Sequence, residues 1–152
     1  MRWFSREVPA SPFTMRTNIF PKTLDFIESG STPRRKLKKV LGEIGFFEKN
    51  RYFKHPESSF FLEFPSGPLA VGREPVKETV LLQFSTGILK IISPTDCVKD
   101  RLAAYYHWGD RQSLEQAVMV FKDNAVDLRE VERWSKAEGS FLQFQEIKDL
   151  FA

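Results

Sequence analysis

The chain has 152 residues, the length of one ordinary domain, and its hydrophobic share of 41% and charged share of 28% are typical of a globular protein. A net charge of +3 permits attraction to phosphate without requiring it. The single cysteine, Cys97, excludes an internal disulfide and a multi-cysteine zinc site. Phe occurs 15 times, so we expect an aromatic-rich core with rings left over for a surface.

No stretch of the sequence is typical of a membrane span or a secretory signal. The longest uncharged apolar run, residues 79–89, is too short to cross a bilayer. The opening sequence MRWFSREVPASPFTMRTN has no apolar centre before a small-residue cleavage site. We therefore expect a cytoplasmic protein with no membrane partner.

The first third of the chain predicts an arm, a strand and a helix. Residues 1–21 contain three prolines and predict a loose N-terminal arm. KTLDFIES, residues 22–29, is short and apolar and predicts a strand. RRKLKKVLGEIG follows with apolar residues at helical spacing, Pro33 at the first position and Gly45 at the left-handed end.

The middle of the chain predicts strands. The aromatic stretch over residues 46–72 predicts two strands around a turn at residues 55–58. VKETVLLQF and GILKIIS, joined at residues 85–87, predict a β-hairpin. We expect four or five strands with one inserted helix over residues 23–92.

From Ser93 onward the pattern changes to helix. Ser93, Asp110 and Asp127 each stand where a side chain can cap the first turn of a helix. A last helix is expected over residues 141–151.

Strands followed by helices predict an α+β fold. We expect a mixed β-sheet with an inserted helix, residues 23–92, followed by a C-terminal helical bundle, residues 93–151. The whole chain, 1–152, is expected to form one domain with a sheet part, 22–92, and a helical part, 93–152.

The stretch SPTDCVKDRLAAYYHWGD concentrates polar side chains on and after one helix. A cation pair beside aromatic rings can hold a phosphate and a base, so these residues are candidates for substrate binding. The alternative is a helix whose apolar stripe simply faces the core. The candidates are Lys99, Asp100, Arg101, His107, Asp110 and Arg111.

Two of these candidates also suggest a different function. The spacing of Arg101 and His107 is similar to that of the Arg and His in HEPN ribonucleases, in which the two side chains act on the RNA phosphodiester. That hypothesis requires a mostly helical fold, and the strand-rich first half argues against it.

Two strand carboxylates are candidates for metal binding and catalysis. Nucleotidyl transfer requires acidic side chains on adjacent strands, because Mg²⁺ must bridge the triphosphate and activate the attacking hydroxyl. Asp25 and Glu63 lie on predicted strands and are such a pair. The alternative is that each is an ordinary solvent-facing carboxylate.

The run RRKLKK is the third candidate. Arg34, Arg35 and Lys38 are expected to contact a phosphate backbone without reading its sequence. The alternative is a solvated helix face, which commonly has this composition.

Three blocks of the chain carry a resemblance: EFPSGPLAVGREPV, TGILKIISPTDCVKDRLAAYYHWGDRQSLEQAV and VDLREVERWSKAEG. Together they resemble the bacterial nucleotidyltransferase-like proteins of the abortive-infection toxin kind, in the DNA polymerase beta-like superfamily. The likeness covers most of residues 22–139. It implies a sheet followed by a helical bundle.

The resemblance also implies an active site that is only partly matched here. Asp25 matches the second carboxylate of the family's Asp-x-Asp pair, Thr23 stands in place of the first, and Glu63 matches the third carboxylate. The Gly-Ser or Gly-Gly motif that opens a helix has no match upstream of Lys22. We expect that an upstream segment was lost or that the site degenerated.

The resemblance therefore implies a nucleotidyltransferase-like protein with an incomplete metal site. Such a protein would bind a nucleotide, RNA or an antitoxin-like partner protein, in a toxin-antitoxin or phage-defence setting. The alternatives are an active Mg²⁺-dependent nucleotidyltransferase that modifies RNA or protein, and a HEPN-like ribonuclease.

Overall fold

The computed structural model describes residues 23–27 and 32–152. The chain divides into two compact units between Ala70 and Val71. The sheet unit comprises the described residues up to Ala70, and the helical unit those from Val71 onward. The predicted N-terminal arm, residues 1–21, lies outside the described residues, and the single-domain prediction stays a prediction.

A mixed four-stranded sheet and one helix make up the sheet unit. Its elements are β1 (Thr23–Asp25), α1 (Arg34–Glu43), β2 (Phe47–Lys49), β3 (Tyr52–Lys54) and β4 (Phe61–Glu63). The strands lie in the order β1-β4-β3-β2. β1 and β4 are parallel and the other two pairs are antiparallel, so the predicted mixed sheet with an inserted helix is confirmed.

Local details of the sheet unit differ from the prediction. α1 begins at Arg34, with Pro33 at the capping position rather than in the first turn, and Gly45 has the expected positive φ of 86°. Asn50 has a φ of 58° and makes the turn between β2 and β3. The stretch of residues 46–72, predicted to form two strands, therefore forms three strands of this sheet and the two-residue strand Ala70–Val71.

The strand register divides the sheet into two faces, because directly opposed residues point to the same side. On one face Phe53 is fully buried, and the Cζ atom of Arg34 in α1 lies 4.8 Å from its ring centroid. We call the opposite side the charged face. Its residues are Thr23, Asp25, Phe47, Lys49, Tyr52, Lys54, Phe61 and Glu63.

The helical unit begins with short strands and continues with helices. Its strands, the first of which starts one residue before the unit, are β5 (Ala70–Val71), β6 (Glu74–Pro75), β7 (Thr79–Phe84) and β8 (Gly87–Ile92). Its helices are α2 (Pro94–Trp108), α3 (Arg111–Asp123), α4 (Leu128–Ala137) and α5 (Phe141–Ile147), followed by a 3-10 turn (Lys148–Phe151). The chain therefore has the predicted α+β class.

The helix boundaries follow the predicted caps. The side chains of Ser93, Asp110 and Asp127 each accept a hydrogen bond from a backbone N–H in the first turn of the helix that follows. The core of the unit is apolar, and the indole N–H of Trp134 donates to the carbonyl of Val71 at 3.3 Å. Buried core residues include Val98, Leu102, Val120, Val131, Phe144 and Phe151.

The predicted β7-β8 hairpin is confirmed, with Phe84 opposite Gly87 at its turn. Large apolar side chains on it are exposed: Leu81 and Ile88 are each 59% accessible. Within residues 23–27 and 32–152, none of the helices has the length and apolar character needed to cross a membrane.

Candidate nucleic-acid interface

Asp25 and Glu63 are direct neighbours in the sheet. They are the last residues of β1 and β4, and the parallel register pairs them. Directly paired positions on adjacent strands have Cβ atoms about 5 Å apart, so the two carboxylates lie on the same face. The sequence prediction that these residues are neighbours on adjacent strands is confirmed.

Arg51, in the turn between β2 and β3, faces this acidic pair. Its Nε atom lies 3.1 Å from Oε1 of Glu63. The same guanidinium donates to the Tyr52 hydroxyl at 2.7 Å, and its Cζ atom lies 4.9 Å from the Tyr52 ring centroid. The hydrogen bond with Tyr52, and then the charge of Glu63, raise the pKa of Arg51 above its usual range. A fully charged cation therefore stands beside the carboxylates.

Mg²⁺ at Asp25 and Glu63 does not fit these contacts well. A Mg²⁺ site needs several oxygen ligands, and its charge repels a neighbouring guanidinium. Arg51 already neutralises Glu63. Over the described ranges, no three His, Cys, Asp or Glu side chains are grouped so that they could hold a metal ion. The metal and catalytic roles of this pair stay predictions.

Aromatic rings alternate with cations over the rest of the charged face. The Nζ atom of Lys54 lies 4.0 Å from the ring centroid of Phe61, and the Tyr52 and Phe61 centroids are 6.1 Å apart. Phe47 pairs with Lys54 in the register and is 51% exposed. The Phe47 ring is therefore open to solvent, while cations lie over the rings of Tyr52 and Phe61. Aromatic rings and cations on one surface are the groups that bind unpaired bases and the phosphates between them.

The basic helix α1 lies on the other side of the sheet. Arg34 and Lys38 both form ion pairs with Glu48 of β2, and Arg34 also donates to the backbone carbonyl of Arg51 at 3.1 Å. These two side chains therefore dock the helix on its sheet. Arg35 is exposed, and its predicted contact with nucleic acid stays a prediction, as do those of Arg34 and Lys38.

The positive charge of the chain is concentrated in the sheet unit. Residues 23–27 and 32–70 contain eight Lys and Arg against five Asp and Glu, whereas residues 71–152 contain 11 against 13. The sheet unit therefore has a net charge of +3 and the helical unit a net charge of −2. A polyanion would be attracted to this unit rather than to the helical one.

Among the α2 candidates, Lys99 has structural partners. Its Nζ atom lies 2.7 Å from Asp96 and 3.2 Å from Glu130, and the residue is 6% exposed. The hydrogen bonds from Arg133 and then from Lys99 lower the pKa of Glu130 to about 2, against the opposing effect of burial. This cation holds α2 to α4.

Arg101 and Asp110, two further candidates, also have partners within the helical unit. Arg101 pairs with Asp100 and donates to Gln116 at 3.2 Å. Asp110 caps α3, and the hydrogen bond from Ser113 lowers its pKa.

The last two candidates, His107 in the last turn of α2 and Arg111 at the start of α3, are open to solvent. The ring of His107 packs edge-on against Trp108. Substrate binding by the α2 set stays a prediction.

The sequence analysis missed six of the residues that define the candidate interface: Phe47, Lys49, Arg51, Tyr52, Lys54 and Phe61. The segment FEKNRYFK contained a usable signal, because it alternates rings and cations about a turn. In a hairpin that alternation places rings and cations of both strands on one face.

No protein-family model, no curated protein and no solved structure matches this chain.

Proposed function

We propose that this chain binds single-stranded RNA on the charged face of its four-stranded sheet. The observation that carries the proposal is the arrangement of Phe47, Tyr52 and Phe61 on one face, with Lys54 over the Phe61 ring and Arg51 over the Tyr52 ring. The net positive charge of the same unit supports it.

The chemistry of such a face favours unpaired bases. Each base that stacks on an aromatic side chain contributes about 1–3 kcal/mol, and the cations hold the phosphates between stacked bases. A double helix offers no free base faces. Because stacking accepts every base, we expect weak sequence preference and strong salt dependence.

The resemblance gives this proposal a setting. A bacterial nucleotidyltransferase-like protein with an incomplete metal site would bind RNA or a nucleotide in toxin-antitoxin or phage defence, with an antitoxin-like partner protein. The active Mg²⁺-dependent transferase and the HEPN-like ribonuclease remain the alternatives. For the transferase, Asp25 and Glu63 are favourably placed, but Arg51 is not.

Fluorescence anisotropy with a short labelled oligouridylate tests the proposal. We expect the wild type to bind, and Lys49→Gln/Lys54→Gln to bind more weakly with a smaller dependence on salt, by up to about two in the slope of log K against log salt. The matched control is Lys77→Gln/Lys122→Gln, which removes two exposed lysines of the helical unit. Equal losses in both double variants, or no binding by the wild type, would contradict the proposal.

The transferase alternative requires a separate assay. Labelled ATP, CTP, GTP and UTP are incubated with Mg²⁺, the protein and RNA. If label is transferred by the wild type and lost in Asp25→Asn, the chain is an enzyme and the binding proposal is incomplete. If no label is transferred, RNA binding stands as the activity of this face.

A further inference from the structure

We propose that Glu63 competes with RNA phosphate for Arg51, so that the free protein holds an exposed phosphate-binding cation in an ion pair that the ligand must displace. This inference rests on the proposed function. It assigns regulation of the site to two residues, Arg51 and Glu63, that lie 3.1 Å apart between Nε and Oε1.

The exposure of the two side chains supports this competition between Glu63 and phosphate for Arg51. The Arg51 side chain is 70% exposed, whereas that of Glu63 is 19% exposed. A ligand arriving from solvent therefore reaches the guanidinium readily, while the carboxylate is held within the sheet. Arg51 can change partners without the strand moving.

The chemistry of the partners supports it too. A guanidinium donates two parallel N–H groups to a carboxylate or to a phosphate with the same geometry. The guanidinium also lies over the Tyr52 ring, with its Cζ atom 4.9 Å from the centroid, and donates to the Tyr52 hydroxyl at 2.7 Å, so its position does not depend on Glu63 alone. A phosphate can therefore take the place of the carboxylate while Arg51 stays over the ring.

The neighbouring carboxylate makes the competition stronger. Asp25 is paired with Glu63 in the register, so two negative charges stand beside the cation that a phosphate would approach. Both repel a polyanion. Asp25 and Glu63, the two candidate catalytic carboxylates, would then set how tightly RNA is held.

The test compares Glu63→Gln, Arg51→Gln and the double variant with the wild type in anisotropy titrations of the labelled oligouridylate. Glu63→Gln keeps the size of the side chain and removes its charge. We expect it to bind RNA about two- to fivefold more tightly, the range that exposed ion pairs are worth. Arg51→Gln should bind more weakly, and Glu63→Gln should give little gain in the Arg51→Gln background.

The control is Glu57→Gln, which removes the same charge from an exposed turn of the same unit. An equal gain in that control, or an equal gain from Glu63→Gln without Arg51, would overturn the inference and leave RNA binding standing. So would unchanged or weaker binding by Glu63→Gln. If neither the wild type nor Glu63→Gln binds RNA, the proposed function is wrong and the inference falls with it.

Circular dichroism verifies that each variant is folded. If Glu63→Gln does not fold, Glu63→Thr replaces it, because Thr is favourable in strands and is also uncharged. The same expectations and the same contradicting results apply to that variant.

Discussion

Arg133 donates to both carboxylate oxygens of Glu74, at 2.9 and 2.6 Å, although 59 residues separate the two in the chain. The same guanidinium also binds Glu130, and Glu130 in turn binds Lys99. Together with Asp96, these charges form one network that connects β6, α2 and α4. The charged residues of this network therefore stabilise the packing of the helical unit.

Lys99→Met is expected to destabilise the helical unit. The substitution leaves Asp96 and Glu130 without the cation between them, and an uncompensated charge that is mostly buried is costly. Because Glu130 keeps Arg133 and is partly exposed, we expect a loss of about 2–3 kcal/mol in the free energy of unfolding. Urea denaturation followed by circular dichroism measures it.

Lys122→Met is the control for that experiment, since Lys122 is exposed in the last turn of α3. It should change the free energy of unfolding by less than about 0.5 kcal/mol. If Lys99→Met were as stable as this control and lost RNA binding instead, Lys99 would be the substrate-binding residue that the sequence indicated.

The network should also weaken in acid. The pKa of Glu130 is about 2 in the folded protein against an ordinary value of 4.5, so its contribution to stability is fully present above pH 4.5. That contribution is lost as the pH falls from 4.5 towards 2, because the unfolded chain then binds a proton that the folded chain does not. The free energy of unfolding, measured by urea denaturation at each pH, should therefore depend less on pH between 4.5 and 2 in Glu130→Gln than in the wild type. If the two proteins showed the same dependence on pH, the ion pairs of Glu130 would not be stabilising.

Gly72→Ala is expected to be costly for two reasons. Gly72 has a φ of 59°, and an added Cβ would lie 2.6 Å from Oε1 of Glu138, which accepts the backbone N–H of Arg73. Gly109→Ala is the matched control, because its φ is 65° but nothing lies within 4 Å. We expect about 1 kcal/mol for the control and about 2–3 kcal/mol for Gly72→Ala, measured by urea denaturation. Equal losses would mean that Glu138 moves freely aside.

The sequence predicted well where a local rule decides the structure. Ser93, Asp110 and Asp127 cap helices because a short polar side chain can reach the first-turn N–H groups whatever surrounds it. The neighbouring positions of Asp25 and Glu63 were also predicted, because both residues lie on short apolar stretches that predict strands.

The roles of the charged residues could not be read in the same way. Lys99 looked like a ligand-binding cation because its partner Glu130 lies 31 residues away in another helix. The sequence does not indicate a role for Arg51, because its partners Tyr52 and Glu63 come together only when β3 and β4 pair. Strand pairing and helix packing, which bring such residues together, are decided by the whole chain.

Substitutions in α1 separate the helix from the sheet as the place where RNA binds. Arg34→Glu should destabilise the sheet unit, because it places a second carboxylate against Glu48 and removes the cation over Phe53. Arg35→Glu should leave stability unchanged within about 0.5 kcal/mol and weaken RNA binding only slightly, since Arg35 is exposed on the helix away from the charged face. A large loss of RNA affinity in Arg35→Glu would favour the basic helix as the interface. Anisotropy and thermal denaturation together distinguish these results.

Phe47→Ala is the sharpest test of stacking. The ring is 51% exposed and lies on the charged face opposite Lys54, so its removal should change stability little. If a base stacks on it, RNA binding should weaken by about 1–3 kcal/mol, while binding of a simple polyanion such as heparin should not change. Leu142→Ala, which removes a side chain 77% exposed in the helical unit, is the control and should affect neither. Equal binding of RNA by Phe47→Ala and the wild type would exclude Phe47 as a stacking platform. Equal losses for RNA and heparin would instead indicate that the substitution perturbs the charges of the sheet.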